Sequence, residues 1–224
     1  MNRKSLALAS ALMVGTMVAA AVAVGSRLPV DAQLPIHWGL SGEPDGFAGK
    51  WPALLIPAAA TGALSLLFWF IPALEPRREG LERSQGLYLW GWLSVLAMGA
   101  VMQLAVVSVA LGWDLPVNHL VVGGTGAMLV LIGNQLGKSR SMYIIGFRTP
   151  WTLASEEVWV KTHRLSGKLM VAGGLATIFA ALLPLPSGLL ASVMVAVIIV
   201  SAGVPFVYSF LLWRREQASR QASE

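Results

Sequence analysis

Arg148, Glu156, Glu157, Thr162 and His163 fall within one interval, IIGFRTPWTLASEEVWVKTHR at 144–164, in a chain otherwise dominated by small and apolar residues. Between them they offer a guanidinium, two carboxylates, a hydroxyl and an imidazole. Acyl-transfer or hydrolytic chemistry needs a nucleophile beside an oriented base. Thr162 and His163 are neighbours in sequence, and on a helix they diverge by about 100°. Ser155 followed by Glu156 and Glu157 supplies a capping oxygen and two anions at the positive end of a helix. The carboxylates therefore have a structural explanation, and no enzyme is expected here. GNQLGKSR at 133–140 resembles a phosphate loop at GKS, but Gly133 lies one residue too close to Gly137 and no strand precedes it. Nucleotide binding is excluded on that spacing. Gly133 and Gly137 instead have the G-x-x-x-G spacing that lets helices approach closely. Asn134 beside them is placed to hydrogen-bond a neighbouring helix or loop carbonyl. His37, Glu43, Asp45 and His119 match no ligand spacing, and cysteine is absent, so neither metal nor cofactor is expected. His119, near the outer end of an apolar span, reads as a structural histidine.

These residues must be positioned by membrane helices. Of the 224 residues, 56% are hydrophobic and 12% charged, about half the roughly 25% charge of a soluble domain. Six segments are long and apolar enough to cross a hydrocarbon core of about 30 Å: near Ser5–Val24, Pro52–Leu74, Leu87–Leu111, Leu115–Leu136, Leu169–Leu185 and Gly188–Trp213. The first, preceded by MNRK, is longer than the 7–15 residues of a usual signal-peptide core. It is expected to be retained. With the N-terminus inside, every basic residue except Arg27 and Lys50 is cytoplasmic, as the positive-inside bias requires. The net charge of +5 thus reports orientation rather than direct contact with nucleic acid. The expectation is an all-α polytopic membrane protein of six helices with both termini in the cytoplasm.

Two connections exceed simple turns, and loops longer than about 12–15 residues are commonly functional. The outer one, 25–51, contains LPIHWGLSGEPDGFAGKW. Pro44 and Asp45 suit the middle of a turn closed by Gly46, and Trp38, Phe47 and Trp51 suit the headgroup level. It reads either as a structured connector lying on the membrane or as a recognition surface for an extracytoplasmic ligand. In the second reading His37, Trp38, Glu43, Asp45 and Lys50 are the binding candidates. The inner one, 137–168, is broken by Gly146 and Pro150, and helix is expected to resume near Thr152 or Ser155. Beyond Val158, Lys161, Arg164 and Lys168 share a basic face suited to lipid phosphates or an acidic partner. Trp159, Thr162, His163 and Ser166 gather roughly opposite, on a face suited to packing with hydrogen bonds. Arg148 is expected to have buried carbonyl or carboxylate partners, whereas Arg214 only marks topology.

Together, GNQLGKSR and YIIGFRTPWTLASEEVWVKTHRLSGK resemble the SdpI family of bacterial membrane proteins. The outer segment resembles the domain of unknown function that commonly precedes that family's pattern. The motif residues matched are Asn134, Gly137, Arg140, Gly146, Arg148, Thr149, Pro150, Trp151, Thr152, Trp159, Lys161, Thr162, His163 and Gly167, while Phe147 stands where a small aliphatic residue is frequent. The resemblance implies six helices and a division into a two-helix region, 1–75, and a four-helix region, 76–224. It further implies a multi-pass protein of the bacterial cytoplasmic membrane, surrounded by lipid. The best-understood member confers immunity to a secreted toxic peptide. It also acts as a receptor that sequesters a cytoplasmic DNA-binding repressor of the helix-turn-helix kind. The competing expectation is a small-solute transporter or channel. No Asp or Glu lies within the spans to serve a proton relay.

Overall fold

The computed structural model describes residues 2–39 and 41–221. The elements in chain order are α1 (Arg3–Gly25), β1 (Gln33–Trp38), β2 (Pro44–Gly49), α2 (Lys50–Leu74), α3 (Arg78–Glu82), α4 (Gln85–Ala110), α5 (Val117–Leu136), α6 (Pro150–Ala154), α7 (Glu156–Leu182) and α8 (Ser187–Gln221). Six of the helices, α1, α2, α4, α5, α7 and α8, have the length and apolarity of membrane spans. Large apolar side chains cover their outward faces, among them Leu66, Phe70, Phe179, Leu182, Ile199 and Val207. A helix that is apolar on every face belongs in lipid, and a multi-pass membrane protein is what this packing describes.

Local sequence accounts for several boundaries. Asn2 caps α1, its Oδ1 accepting from the Ser5 N–H at 2.9 Å. Ser155 caps α7 by accepting from the Val158 N–H, with Glu156 and Glu157 in the first turn, where the helix dipole favours anions. Thr149 caps α6 in a reciprocal capping box with Thr152, and Pro150 occupies the first turn, where its missing N–H costs nothing. The fifth span differs from expectation. It does not begin at Leu169; α7 runs unbroken from Glu156, so much of the patterned inner segment is the first half of that helix. The last helix likewise continues past Trp213 to Gln221.

The helices pack as α1, α2 and α4 on one side and α5, α7 and α8 on the other, with α4 against α5 joining them. Glycine decides the α5–α7 seam. A Cβ at Gly167 would lie 2.6 Å from the Gly133 carbonyl oxygen, and one at Gly174 would lie 2.6 Å from that of Gly126. Backbones this close exclude any side chain at the crossing, the contact small residues permit in membranes. An apolar cluster at the end of the bundle bearing the inner segment unites Leu6, Ile71, Trp92, Leu136, Met142 and Trp159 from five helices and a loop. A second, with Ala21, Leu34, Leu54 and Val106, lies at the opposite end.

That opposite end carries an element absent from the sequence reading. The outer segment forms an antiparallel hairpin, β1 with β2, pairing Gln33 with Gly49 and His37 with Gly46. The turn also falls earlier than expected. It closes between Gly39 and Glu43 through the Gly39 N–H to the Glu43 carbonyl at 3.0 Å. Gly42 adopts φ +81°, which glycine tolerates without a steric penalty. Pro44, Asp45 and Gly46 lie in the second strand instead.

Candidate functional site

At the inner-segment end, the chain leaving α5 is tied down residue by residue. Ser139 is buried, and its Oγ donates to the Leu136 carbonyl and receives the Trp159 indole N–H at 3.3 Å. Ser84 Oγ accepts from the Arg140 N–H at 2.9 Å. The next hold comes from Glu75, at the end of α2. Its carboxylate is 1% exposed and accepts the backbone N–H groups of Arg77, Tyr143 and Ile144 at 2.8–3.0 Å. Arg77 completes the clamp. Its guanidinium donates to Ser141 Oγ and to the Leu153 carbonyl, and lies 4.6 Å from the centre of the Tyr143 ring.

The loop then turns over His163. Gly146 has φ +117°, and a Cβ there would lie 2.6 Å from His163 Nε2 and 2.9 Å from the Trp159 ring. Both the backbone conformation and the space demand glycine. The Phe147 N–H donates to His163 Nε2 at 2.9 Å, and His163 Nδ1 lies 2.8 Å from the Trp159 carbonyl. A ring that accepts at Nε2 and donates from Nδ1 is neutral imidazole. It is fully buried and stacked on Trp159 at 3.9 Å. With both nitrogens engaged, it is placed as a bracket for the loop rather than as a base for a substrate.

Thr152 Oγ1 donates to the Phe147 carbonyl at 2.6 Å, while Thr149 Oγ1 pairs with Ser209 Oγ of α8 at 3.3 Å. Trp151 packs on Phe206 and Phe210 of α8, with ring centres 5.4 and 5.0 Å apart. GFRTPW thus joins α7 to α8. Trp159, Thr162, His163 and Ser166 are all fully buried, on the packing face read from their spacing; Trp159 and His163 make the hydrogen bonds expected of that face, whereas the Thr162 and Ser166 hydroxyls have no partner among the described residues. Lys161 points outward and pairs with Glu157 at 2.5 Å.

Two expected roles change. Arg148 is exposed and donates to the Tyr143 carbonyl at 3.0 Å, which closes its own loop. Arg77 instead has the interior partners expected of Arg148. Asn134 is also exposed, on the rim of a groove beside Lys138. Glu75 holds this loop without standing out in the sequence. Its only signal is a single carboxylate ending an apolar run just before Pro76 and Arg77.

At the hairpin end, a cavity of about 250 Å³ opens between β1 with its turn and helices α4, α5 and α8. His37 and Trp38 line it from the hairpin, with Met102, Asn118, Val122 and Met194 from the helices. Asn118 fixes the hairpin tip, its Nδ2 donating to the Gly42 carbonyl at 2.7 Å and to Ser187 Oγ at 2.9 Å. His37 Nδ1 meets Asp45 Oδ1 at 2.5 Å across the strands, both side chains largely exposed. Glu43 is exposed at the turn. Lys50 does not join them. It is buried, and its Nζ donates to the Leu28 carbonyl at 2.6 Å. Of the five outer candidates, His37 and Trp38 therefore share the cavity wall, Asp45 holds His37, and Lys50 anchors the helix entry.

A six-helix membrane protein whose bundle is locked by a clamped loop at one end and topped by a hairpin at the other is the class these features define. Residues 138–209 match the SdpI/YfhL protein family, and residues 11–61 match a domain of unknown function, DUF1648. The immunity protein SdpI of Bacillus subtilis (strain 168) is 23% identical over 145 residues, covering 63% of this chain and 66% of that protein. That is slightly less than two thirds of the relative's length. No solved structure matches the chain. Both matches fall in order along the chain and support membership of the SdpI family.

Proposed function

We propose that this protein gives a bacterial cell immunity to an extracytoplasmic toxic peptide, which it neutralises or senses at the hairpin end. In this reading both termini are cytoplasmic, the hairpin faces outward from the cytoplasmic membrane, and the protein is not an enzyme. Residues 1–75 supply the hairpin and the Glu75 hold on the inner loop, and 76–224 supply that loop and the helices beneath the hairpin. The inner segment is the face on which a helix-turn-helix repressor would be held, as the family resemblance implies. The observation that carries the reading is the apolar cavity under the hairpin, rimmed by His37, Trp38 and Asn118, in a chain related to a protein named for immunity. An amphipathic or extended peptide buries its apolar side chains in such a groove while polar groups at the rim fix its orientation.

The test is protection. Cells lacking the gene are challenged with the secreted peptide of a neighbouring producer, with and without the restored chain. Restored growth is expected, and it should fall when Trp38→Ala and Met102→Trp alter the cavity wall without lowering the amount of protein in the membrane. Equal sensitivity with and without the chain would overturn the proposal.

A further inference from the structure

The basic face of α7 does not end at the loop. Arg164 and Lys168, one helical turn apart, border a groove of about 490 Å³ on the α5–α7 seam, and Lys138 at the end of α5 closes the same rim. Further along α7 the wall turns apolar, with Val171, Ala172 and Leu175. None of the three cations belongs to an ion pair among the described residues, whereas Lys161, one turn earlier, is paired with Glu157. All three are exposed, as are Ala172 and Leu175.

The dimensions suit one kind of occupant. Arg164 to Leu175 spans eleven residues of helix, roughly 16 Å at 1.5 Å per residue. One hydrocarbon leaflet is about 15 Å deep. The cations therefore stand at headgroup level, and the apolar wall continues to the depth of the acyl chain. A soluble anion would use the rim and leave the wall empty. An acidic protein would meet the cations only above the headgroups.

We infer that this groove is a binding site for an anionic phospholipid of the surrounding leaflet, its phosphate held by Lys138, Arg164 and Lys168 and one acyl chain lying along Val171, Ala172 and Leu175. The site stands apart from the hairpin cavity and does not depend on the immunity reading.

The test uses the full chain purified in detergent, with phosphatidylglycerol, phosphatidylcholine or inorganic phosphate added and bound lipid counted by native mass spectrometry. Phosphatidylglycerol is expected to be retained over phosphatidylcholine, with no competition from inorganic phosphate. Neutralising Arg164→Gln with Lys168→Gln should weaken retention about 25-fold, since each basic residue near an anionic surface contributes about fivefold. Ala172→Phe, which fills the apolar half and leaves the charges, should also reduce it. Arg214→Gln with Arg215→Gln should not. Equal retention of the two lipids, displacement by inorganic phosphate, or undiminished binding in both groove variants would each overturn the inference.

Discussion

The two ends of the bundle are built on opposite plans. At the inner-segment end, Glu75 after α2, Ser84 before α4 and His163 of α7 hold the backbone of one loop, and Ser209 of α8 meets the Thr149 hydroxyl. At the hairpin end, two strands rest on the helices through buried Leu34 and the Asn118 side chain, and a cavity lies beneath the hairpin. The end with the most distinctive sequence pattern is therefore a fastener, with Glu75, Ser139, Thr152 and His163 spent on holding the loop. The end with the weaker pattern leaves His37, Glu43 and Asp45 exposed. Kinship is written in the first, and room for a ligand is left in the second.

Substitutions should separate the two plans. Glu75→Ala should have the largest effect, because it strands three backbone N–H groups. At about 1–3 kcal/mol for each unsatisfied donor, stability should fall by about 3 kcal/mol or more, read as loss of folded protein in a detergent thermal melt. Gly167→Leu comes next. Its Cβ would sit 2.6 Å from the Gly133 carbonyl oxygen and force α5 and α7 apart, and overpacking of this kind costs about 1–3 kcal/mol. His163→Phe keeps the stack on Trp159 but removes the acceptor for Phe147. A loss of about 1–2 kcal/mol, with faster proteolysis of the 143–149 loop, is the expected result. His37→Ala should change stability by less than about 1 kcal/mol, as exposed ion pairs do, yet lower protection against the peptide. Stability loss at His37 matching that at His163 would erase the contrast between the ends. Arg214→Ala should be the mildest, below Arg148→Ala, whose loop-closing bond to Tyr143 is exposed. Accumulation of the two variants in the membrane checks that order.

Much of the scaffold was legible because its signals are local. Apolar run length marks six spans, Ser155 with two glutamates marks a helix start, and spacing alone separates Trp159, Thr162, His163 and Ser166 from Lys161, Arg164 and Lys168. Gly133 and Gly137 likewise announce a close crossing. What stayed hidden depends on contacts far apart in sequence. Glu75 looks like an ordinary span end until residues 143 and 144 fold back onto it. The hairpin is obscured because its strands hold Pro35, Pro44 and two glycines, residues that weaken strand propensity. Its turn, moreover, precedes the Pro-Asp-Gly sequence that advertises one.

Helix α7 contains no proline, unlike α2 and α8, and its 27 residues make a rod of roughly 40 Å. One end is bolted at His163; the other brings Ala180 against Val122 and Leu190, beside the hairpin cavity. Mechanically it is a tie-bar with no proline joint, and Gly167 and Gly174, where it could bend, are pressed against the Gly133 and Gly126 backbone of α5. A tilt imposed where Val122 lines the cavity is thereby passed along the α5–α7 pair towards the bolted loop rather than absorbed midway.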